Sequence, residues 1–334
     1  MTAWLKMKEA SGVAEARRRA RRNASTMGFD STKVEHVAIV ATEIAQNVLR
    51  HGGGGHVLIQ RFGAPGMERL FIVGADDGPG VARIDRMLKD GNTTAKSPGT
   101  GLGAMRRLSD RLDIDTRPGE GMVVVAEFCA KLAKGVSGTD HAGLRIPYPG
   151  ERRCGDGVAT RRGGGREYYL LCDGLGHGDK ASDAADTAIR TFMNARESEP
   201  ADMLERLGSA LMVTRGAVAA IVSLDRAAGA LSYAAIGNIA TLIVQGGKTR
   251  RMPVRDGLLG GRRSSPHVET MDLDPDGIVI MHSDGIATLR GLERRVPLLN
   301  RSAGVIAARM LYEHTRGRDD ASVLVARMNP ARTL

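Results

Sequence analysis

Two groups of short acidic and glycine-rich motifs carry most of the chemistry that this sequence could perform. The first group contains the pair Glu43 and Asn47, the run Asp76-Asp-Gly-Pro-Gly80 and the run Gly99-Thr-Gly-Leu-Gly103. The second group consists of four aspartates: Asp156, Asp173, Asp284 and Asp319. Glycine-rich turns are typical of nucleotide sites, and clustered carboxylates are typical of sites for divalent cations. The sequence therefore predicts two separate chemical centres.

Glu43 and Asn47 stand four residues apart in a helical pattern, so they share one face of a helix. The amide oxygen of Asn47 suits Mg²⁺, and the Glu43 carboxylate can orient or deprotonate a hydroxyl nucleophile. An E-x-x-x-N spacing is also a common pattern on helix surfaces. The pair is therefore informative only together with the motifs that follow it.

The second and third motifs of this group suit the base and the phosphates of a nucleotide. Asp76 follows an apolar strand, where a buried carboxylate can accept a hydrogen bond from an adenine amino group, and Gly78 and Gly80 let the backbone pass close to the base. The alternative for this run is an ordinary tight turn. The loop that opens the next helix, where free N–H groups favour phosphates, contains Gly99, Thr100, Gly101, Leu102 and Gly103.

Hydrophobic periodicity predicts the elements that carry these residues. The predicted helices are 9–27, 31–50 and 101–110, and the predicted strands are 56–62, 69–75 and 121–129. Helix 9–27 is rich in arginine, which fits a solvated basic face or a docking surface for an acidic partner.

The aspartates of the second group each stand at the end or the start of an apolar strand. Asp173 and Asp284 follow such runs, whereas Asp156 and Asp319 precede them. Carboxylates gathered at strand ends repel one another unless cations are present. Two Mg²⁺ or Mn²⁺ ions ~3.5–4 Å apart would resolve this repulsion and activate a water at a phosphoryl group. Each Asp-Gly pair alone is an ordinary turn, so the joint placement carries the inference.

The elements of this second half differ from those of the first, and no internal repeat is visible. A polar stretch near 131–141 fits a linker, which predicts domains at 1–131 and 143–334 joined by 132–142. The predicted strands are 143–147, 156–162, 166–172, 217–224, 230–236, 240–245, 267–272, 277–282 and 321–327, and the predicted helices are 179–196, 200–213 and 300–315.

Composition limits the classes of partner and compartment. The 334 residues carry a formal net charge of +10, but aromatic residues make up only 3% of the chain, which disfavours base stacking on nucleic acid. Three cysteines without a CxxC spacing argue against a disulfide framework and a zinc site. The sequence has no apolar run of membrane-spanning length and no signal-peptide core, so we expect a cytoplasmic protein.

Residues from about 9 to 130 resemble the GHKL-type ATPases, and specifically the small anti-sigma-factor serine kinases of the RsbT and RsbW kind. The resemblance is carried by Ala41-Thr-Glu-Ile-Ala-Gln-Asn-Val-Leu-Arg-His51, Asp76-Asp-Gly-Pro-Gly80 and 97–110, and it is closer to the RsbT branch. It implies that Asn47 binds Mg²⁺, that Asp76 accepts a hydrogen bond from adenine and that Gly99 to Gly103 border the phosphates of ATP. It also implies Glu43 as the base and 81–98 as a short lid.

Residues from about 143 to 328 resemble the metal-dependent PPM phosphatases, in the SpoIIE and RsbX branch. The resemblance is carried by Cys154-Gly-Asp-Gly157, Asp173-Gly-Leu-Gly-His-Gly178, Ala235-Ile-Gly-Asn238, His282-Ser-Asp-Gly285 and Arg318-Asp-Asp-Ala-Ser322. It implies that Asp173 bridges two metals and that the Gly174 carbonyl contacts one of them. It further implies Asp284 and Asp319 at the second metal and Asp156 at the first.

Five further residues in or beside these motifs complete the expectations for this half. The resemblance leaves the role of Asn238 open, and His177 is either a proton donor to the leaving group or a loop residue without a role. We expect Cys154 and Cys172 to be packing residues and Asp320 to be a structural neighbour of Asp319.

Together these patterns predict an α+β protein: a GHKL (Bergerat) ATPase sandwich followed by a PPM-type αββα sandwich. The predicted function is a bifunctional partner-switching regulator in stress or sigma-factor signalling. One half phosphorylates a serine or threonine of a STAS-type protein with ATP, and the other half removes phosphate from phosphoserine or phosphothreonine with Mg²⁺ or Mn²⁺. Predicted partners are STAS-domain antagonists or stressosome-type proteins, a sigma factor, a PPM-type phosphatase or a second copy of the chain. The alternatives are a non-catalytic binding module and a phosphatase whose ATP site only senses nucleotide.

Overall fold

The computed structural model of the chain describes residues 4–64, 66–82, 84, 101–129, 140–196, 199–261 and 266–331. The chain folds as two structural units. The first unit comprises Trp4–Gly135 and Asn300–Arg309, and the second comprises Val136–Leu299 and Met310–Ala331. Within the described ranges, no helix is both long enough and apolar enough to cross a membrane.

The first unit is a five-stranded antiparallel sheet with helices. Its strands lie in the order β1-β2-β3-β5-β4. The strands are β1 (Leu5–Met7), β2 (Gly55–Phe62), β3 (Arg69–Asp76), β4 (Arg111–Thr116) and β5 (Met122–Cys129), and the helices are α1 (Ala10–Thr26), α2 (Ser31–Arg50) and α3 (Gly101–Leu108).

Helix α2 is the element that positions the candidate residues of this unit. It begins after Asp30, whose carboxylate accepts a hydrogen bond from the Lys33 N–H at 2.7 Å and so caps the helix. Apolar residues at helical spacing, such as Ile44 and Val48, are buried against the sheet in one core with Ile72. This packing fixes which residues of α2 remain at the edge of the core.

Strand β4 was not predicted from the sequence, because Asp113 and Asp115 interrupt its apolar pattern. Both are nevertheless buried, at 1% and 4% exposure. Asp113 accepts a hydrogen bond from the Ser302 N–H at 2.7 Å, and Asp115 accepts one from the Arg309 guanidinium at 2.9 Å. These partners belong to the same unit but lie 189 and 194 residues away, so local sequence gives no sign of them. The predicted boundaries had placed 300–309 in the second domain.

The second unit contains two five-stranded antiparallel sheets. The first has the order β13-β10-β9-β8-β7, and the second has the order β12-β11-β14-β15-β6. The strands are β6 (His141–Ile146), β7 (Asp156–Gly163), β8 (Arg166–Gly174), β9 (Ala217–Asp225), β10 (Ala230–Ile236), β11 (Ala240–Gln245), β12 (Lys248–Arg251), β13 (Glu269–Asp272), β14 (Ile278–His282) and β15 (Ala321–Arg327).

Helices α4 (Asp179–Asn194) and α5 (Pro200–Leu211) cover one face of the first of these sheets. The even-numbered residues of β8, such as Leu170 and Cys172, share a core with these helices. Because side chains alternate along a strand, Leu171 and Asp173 point to the opposite face, away from the helices. Helix α6 (Ala303–His314) follows short helical turns at Leu292–Arg294 and Val296–Leu299, and its residues up to Arg309 are assigned to the first unit.

Mixed helices and antiparallel sheets in both units agree with the predicted α+β class, and most element bounds lie within two or three residues of the predicted ones. Two of the differences are short strands that were not predicted, β1 and β12. Strand β6 begins at His141, so residues 141 and 142 of the predicted linker pair with β15. Residues 132–139 of that linker lie outside the described residues, and the domain boundaries stay a prediction.

Candidate functional site

Asp76 is the last residue of β3 and is only 7% exposed. Its Oδ1 accepts a hydrogen bond from the Gly78 N–H at 2.9 Å. Burial raises the pKa of this carboxyl above its ordinary value, while backbone donors at Gly78 and Met122 oppose the shift. A buried carboxylate held by backbone amides at the end of a strand is a fixed hydrogen-bond acceptor for a planar ligand.

Glycines allow the chain to approach Asp76 closely. A Cβ added at Gly52 would lie 2.4 Å from the Asp76 Cβ, and one added at Gly78 would lie 2.8 Å from the Gly52 Cα. Gly80 has a φ of +64°, and a Cβ there would lie 1.9 Å from the Arg117 carbonyl oxygen. The roles expected for Gly78 and Gly80 therefore have a steric basis. Gly52 was missed, because its run of four glycines reads as the end of a helix.

The N-terminus of α3 lies against Glu43. A Cβ added at Gly101 would stand 2.7 Å from Oε2 of Glu43, so no larger residue fits without moving that carboxylate. Gly101, Leu102 and Gly103 form the first turn of α3, where backbone N–H groups lack helical partners. The structure thus brings the expected base and part of the expected phosphate loop together. Gly99 and Thr100, and most of the predicted lid, lie outside the described residues.

Asn47 lies one turn after Glu43 on α2 and is half-buried. Its backbone carbonyl accepts hydrogen bonds from the N–H groups of His51 and Gly52, which turn the chain towards Asp76. Four features at this edge therefore fit a Mg²⁺-nucleotide. They are the buried acceptor Asp76, the glycines that let the chain pass close to it, the side-chain oxygens of Glu43 and Asn47 on α2, and the unpaired N–H groups at the N-terminus of α3.

In the second unit, Asp156 and Asp173 are directly opposite residues of the antiparallel strands β7 and β8. Directly opposite residues of an antiparallel pair lie on the same face of the sheet. Asp156 is completely buried, and Asp173 is partly buried. The ladder therefore holds two carboxylates side by side, on the face that α4 and α5 do not cover.

Ser283 and Asp284 follow strand β14 of the other sheet of this unit. The Ser283 hydroxyl donates to Oδ2 of Asp156 at 2.6 Å and accepts from the Ser322 N–H at 3.0 Å. Oδ2 of Asp284 accepts a hydrogen bond from the Asn238 amide at 2.9 Å. Asn238 thus has a definite structural partner, and Ser283 is a connecting residue that the sequence patterns missed.

Asp319 and Asp320 both precede β15, which begins at Ala321. Asp320 is 2% exposed, and its Oδ1 accepts a hydrogen bond from the Tyr148 N–H at 2.8 Å. Its own N–H donates to Oδ1 of Asp319 at 2.9 Å. Because Asp320 precedes the strand, the alternation of side chains along β15 does not set the direction of its carboxylate.

Four further carboxylates lie close enough to Asp173 to raise its pKa. Burial raises the pKa of Asp173, and the negative charges of Asp156, Asp284, Asp319 and Asp320 raise it further, in that order. Burial likewise raises the pKa of Asp156, with a smaller contribution from Asp320. Groups of like charge held this close favour either protonation or a bound cation.

The aspartate cluster suits a divalent cation because it contains buried carboxylate oxygens that accept no hydrogen bond from the described residues. One carboxylate oxygen in each of three aspartates is buried without a hydrogen-bond partner among the described residues; these are Oδ1 of Asp156, Oδ1 of Asp284 and Oδ2 of Asp320. Hard cations take oxygen ligands of this kind. No three acidic, histidine or cysteine side chains of the described ranges converge closely enough to hold an ion as they stand. The ligand set therefore stays a prediction.

Glycines also bring the backbone segments of this site together. A Cβ added at Gly174 would lie 2.2 Å from the Ala181 carbonyl oxygen of α4, and one added at Gly285 would lie 1.9 Å from the Asp320 carbonyl oxygen. Without a side chain, Gly174 can offer its carbonyl beside Asp173. Gly285 allows the segment after β14 to lie against the segment before β15.

The remaining residues expected near the site have mixed outcomes. Cys154 and Cys172 are only 4% and 0% exposed, as expected for packing residues, and this burial raises the pKa of both thiols. His177 is half-exposed, and its ring stacks on Tyr148 at 4.2 Å between centroids. Its Nδ1 lies 3.1 Å from Glu151. These contacts of His177 are with Tyr148 and Glu151 and do not test its role as a proton donor, so that role stays a prediction.

Two protein families match the chain, one in each half. The family described as "Histidine kinase-like ATPase domain" matches residues 8–128. The family described as "Stage II sporulation protein E (SpoIIE)" matches residues 163–329, which is half of the chain. The first match contains the described residues of the candidate nucleotide site, and the second contains Asp173, Asp284, Asp319 and Asp320 of the aspartate cluster but begins after Asp156.

A characterised relative matches the first half. The serine/threonine-protein kinase RsbT of Bacillus subtilis (strain 168) is 29% identical over 114 residues, which are 34% of this chain and 86% of RsbT. This match agrees with the predicted preference for the RsbT branch.

Two solved structures are similar to a larger share of the chain. A chain from a structure described as "The bacterial stressosome: a modular system that has been adapted to control secondary messenger signaling" superposes with a TM-score of 0.54 at 26% identity, over 57% of this chain and 100% of that chain. RsbX in complex with magnesium superposes with a TM-score of 0.50 at 18% identity, over 57% of this chain and 94% of RsbX. The likeness to RsbX concerns the fold alone.

Proposed function

Since the chain belongs to the SpoIIE family, we propose that it is a bifunctional partner-switching regulator, a protein serine/threonine kinase and a metal-dependent protein serine/threonine phosphatase on one polypeptide. The observation that carries this proposal is the coexistence of two sets of groups on one chain. One set joins Glu43, the α3 N-terminus and buried Asp76, and the other gathers five carboxylates around Asp173.

In the kinase half, Asp76 accepts a hydrogen bond from the adenine amino group of ATP, and the first turn of α3 holds phosphate oxygens. Asn47 would supply an oxygen to Mg²⁺, and the ion would neutralise charge on the phosphates. Glu43 accepts the proton of the substrate serine or threonine hydroxyl while the hydroxyl oxygen bonds to the γ-phosphorus and the bond from that phosphorus to the leaving ADP breaks. Its position against Gly101 supports this role, because the base stands beside the helix end that holds the phosphates.

In the phosphatase half, divalent cations held by the aspartates would polarise the phosphoryl group and activate a water for attack. We assign the metal contacts to Asp173, the Gly174 carbonyl, Asp284, Asp319 and Asp156. Asp173 takes the central position because it lies directly opposite Asp156 on the neighbouring strand, and the charges of the other carboxylates of the cluster raise its pKa. Ser283 orients Asp156 through the 2.6 Å hydrogen bond and leaves its other oxygen free. Mg²⁺ and Mn²⁺ are the cations that we propose.

The proposed substrate is a STAS-domain protein that carries a regulatory serine or threonine. The kinase RsbT and the stressosome chain are the similar proteins that support this class of partner. A phosphatase with a nucleotide-sensing domain is the main alternative, and Glu43 separates the two. A sensor needs Asp76 and the α3 N-terminus but has no use for a base beside them.

The test uses the purified full-length chain and a panel of STAS-domain proteins. In one arm, each protein is incubated with Mg²⁺-ATP and phosphorylation is read by mass spectrometry. In the other arm, the phosphorylated protein is incubated with Mn²⁺ or Mg²⁺ and phosphate release is measured. We expect Glu43→Gln to stop the first reaction alone and Asp173→Asn to stop the second alone. A wild-type chain that binds ATP but transfers no phosphate, while it hydrolyses phosphoserine, would favour the sensing alternative.

A further inference from the structure

Two loops of the second unit meet directly beside the aspartate cluster. The first loop, 175–178, joins β8 to α4 just after Asp173, and the second, 212–216, joins α5 to β9. The Leu175 N–H donates a 3.1 Å hydrogen bond to the Gly216 carbonyl oxygen. A Cβ added at Gly176 would lie 3.3 Å from Nη1 of Arg215. The second loop therefore lies against the segment that directly follows Asp173.

These loops expose apolar side chains that the fold does not need. Leu175, Met212 and Val213 are 54%, 70% and 92% exposed. Among the described residues only four other large apolar side chains are exposed, and these are Ile39, Met67, Val254 and Val296. A single exposed apolar residue is ordinary, but a group of them at the edge of a site is typical of a binding surface.

Arg215 adds a free positive charge to this surface. It is exposed, and none of the described residues forms an ion pair or a hydrogen bond with its side chain. The nearby Arg153 provides a contrast, because Asp183 and Asp186 hold its guanidinium at 2.8 and 2.9 Å. An unpaired guanidinium beside a phosphatase site matches the charge and the geometry of a phosphate.

The backbone beneath Arg215 is held in place. Gly216 has a φ of +83°, and a Cβ there would lie 2.6 Å from the Leu259 carbonyl oxygen. The next residue, Ala217, exchanges two hydrogen bonds with Leu259, at 3.0 and 2.8 Å. The Gly216 N–H also donates to the Thr214 hydroxyl at 3.0 Å. The four exposed side chains therefore stand on a preformed base.

We propose that Leu175, Met212, Val213 and Arg215 form a docking surface for the polypeptide segment that carries the phosphoserine. Arg215 pairs with the phosphate of the substrate, and the three apolar side chains pack against an apolar residue that flanks the phosphoserine. Charge complementarity and continuity with the aspartate cluster select this occupant. The proposal rests on the proposed phosphatase activity and deepens it, because it predicts which phosphoserine sequences the enzyme prefers.

The test compares three substrates in steady-state kinetics of the full chain with Mn²⁺. They are a phosphoserine peptide with leucine on both sides, the same peptide with serine in place of leucine, and para-nitrophenyl phosphate. We expect wild type to prefer the leucine peptide, and Met212→Ser and Val213→Ser each to lower that preference about tenfold. Arg215→Ala should raise KM about tenfold for all three substrates, because the phosphate is common to them. Arg206→Ala, a change of an exposed arginine on α5, serves as the matched control.

Each outcome decides the proposal. Equal kcat/KM for the two peptides, or wild-type preference in both apolar variants, would overturn the apolar part of the surface. Unchanged KM in Arg215→Ala would overturn its role at the phosphate. A shift of Val213→Ser from dimer to monomer in sedimentation would show that a second copy covers the patch, and would overturn the proposal. A wild type that hydrolyses none of the three substrates would contradict the proposed phosphatase activity itself.

Discussion

The hydroxyl of Ser283 donates a 2.6 Å hydrogen bond to Oδ2 of Asp156, although 127 residues separate them in the chain. The same hydroxyl accepts a hydrogen bond from the Ser322 N–H. A side chain between strands of the two sheets therefore fixes the orientation of Asp156. Because one oxygen of Asp156 is satisfied in this way, the other is left for a cation.

Ser283→Ala should weaken metal-dependent catalysis without changing any proposed ligand. Loss of a group that orients a metal ligand commonly costs about 10–100-fold in metal affinity or activity. The measurement is the Mn²⁺ concentration that gives half-maximal phosphate release from a phosphoserine peptide. Ser223→Ala is the matched control, because Ser223 is also buried but its hydroxyl has no partner among the described residues. An unchanged Mn²⁺ requirement in Ser283→Ala would contradict the orienting role.

Asp173→Asn should abolish phosphate release and weaken Mn²⁺ binding. A carboxylate at the centre of the cluster contributes to every cation held there, and the amide removes its charge. ATP binding should remain, because the nucleotide site is built from other residues. Phosphate release is measured with a phosphoserine peptide, and Mn²⁺ and ATP binding by calorimetry. Full activity in this variant, or activity that a chelator does not affect, would refute the two-metal mechanism.

Asp320→Asn tests whether Asp320 contributes to the metal site or is only a structural neighbour of Asp319. An asparagine oxygen can still accept the Tyr148 N–H, so the local backbone contact survives. The variant nevertheless removes one charge from the cluster around Asp173. We therefore expect reduced phosphate release at limiting Mn²⁺ and recovery at saturating Mn²⁺. Wild-type behaviour at all Mn²⁺ concentrations would restore the view that Asp320 is only a structural neighbour.

The sequence predicted what is local in both sites, and it failed where partners come from far away. Asp173 and Asp284 were identified because each ends an apolar strand, which is a short-range pattern. Ser283 and Gly52 were missed because their importance depends on close approach to Asp156 and Asp76. Strand β4 was missed for the same reason, since the partners of its two buried aspartates are almost 200 residues away.

Asp76→Asn should weaken ATP binding at the first unit by about 1–3 kcal/mol. The amide presents a donor as well as an acceptor, and its neutral oxygen is a poorer acceptor for the adenine amino group. Calorimetry with Mg²⁺-ATP measures the affinity, and Asp77→Asn is the control because Asp77 is the exposed neighbour. Undiminished affinity in Asp76→Asn would refute the adenine assignment.

Protonation of the aspartate cluster should make the thermal stability of the metal-free chain depend on pH. Burial and mutual repulsion raise the folded-state pKa of Asp173 and of Asp156 above the unfolded value. Such groups contribute their full stability below the unfolded pKa of about 4, and this contribution is lost as pH rises through the folded pKa. A divalent cation should reverse the trend, because it favours the ionised form. We therefore expect the increase in Tm caused by Mn²⁺ to grow between about pH 5.5 and about pH 8.

The comparison of wild type with Asp173→Asn isolates this effect from other titrating groups. His282 acts in the opposite sense: burial lowers its pKa to about 4, so its contribution to stability is fully present above the unfolded pKa of about 6.5 and is lost as pH falls towards about 4. Since His282 is unchanged in the variant, the difference between the two proteins reports the cluster. The metal-free Tm of Asp173→Asn should fall less with rising pH, and Mn²⁺ should raise it little. An equal Mn²⁺ shift in both proteins at every pH would place the stabilising cation away from Asp173.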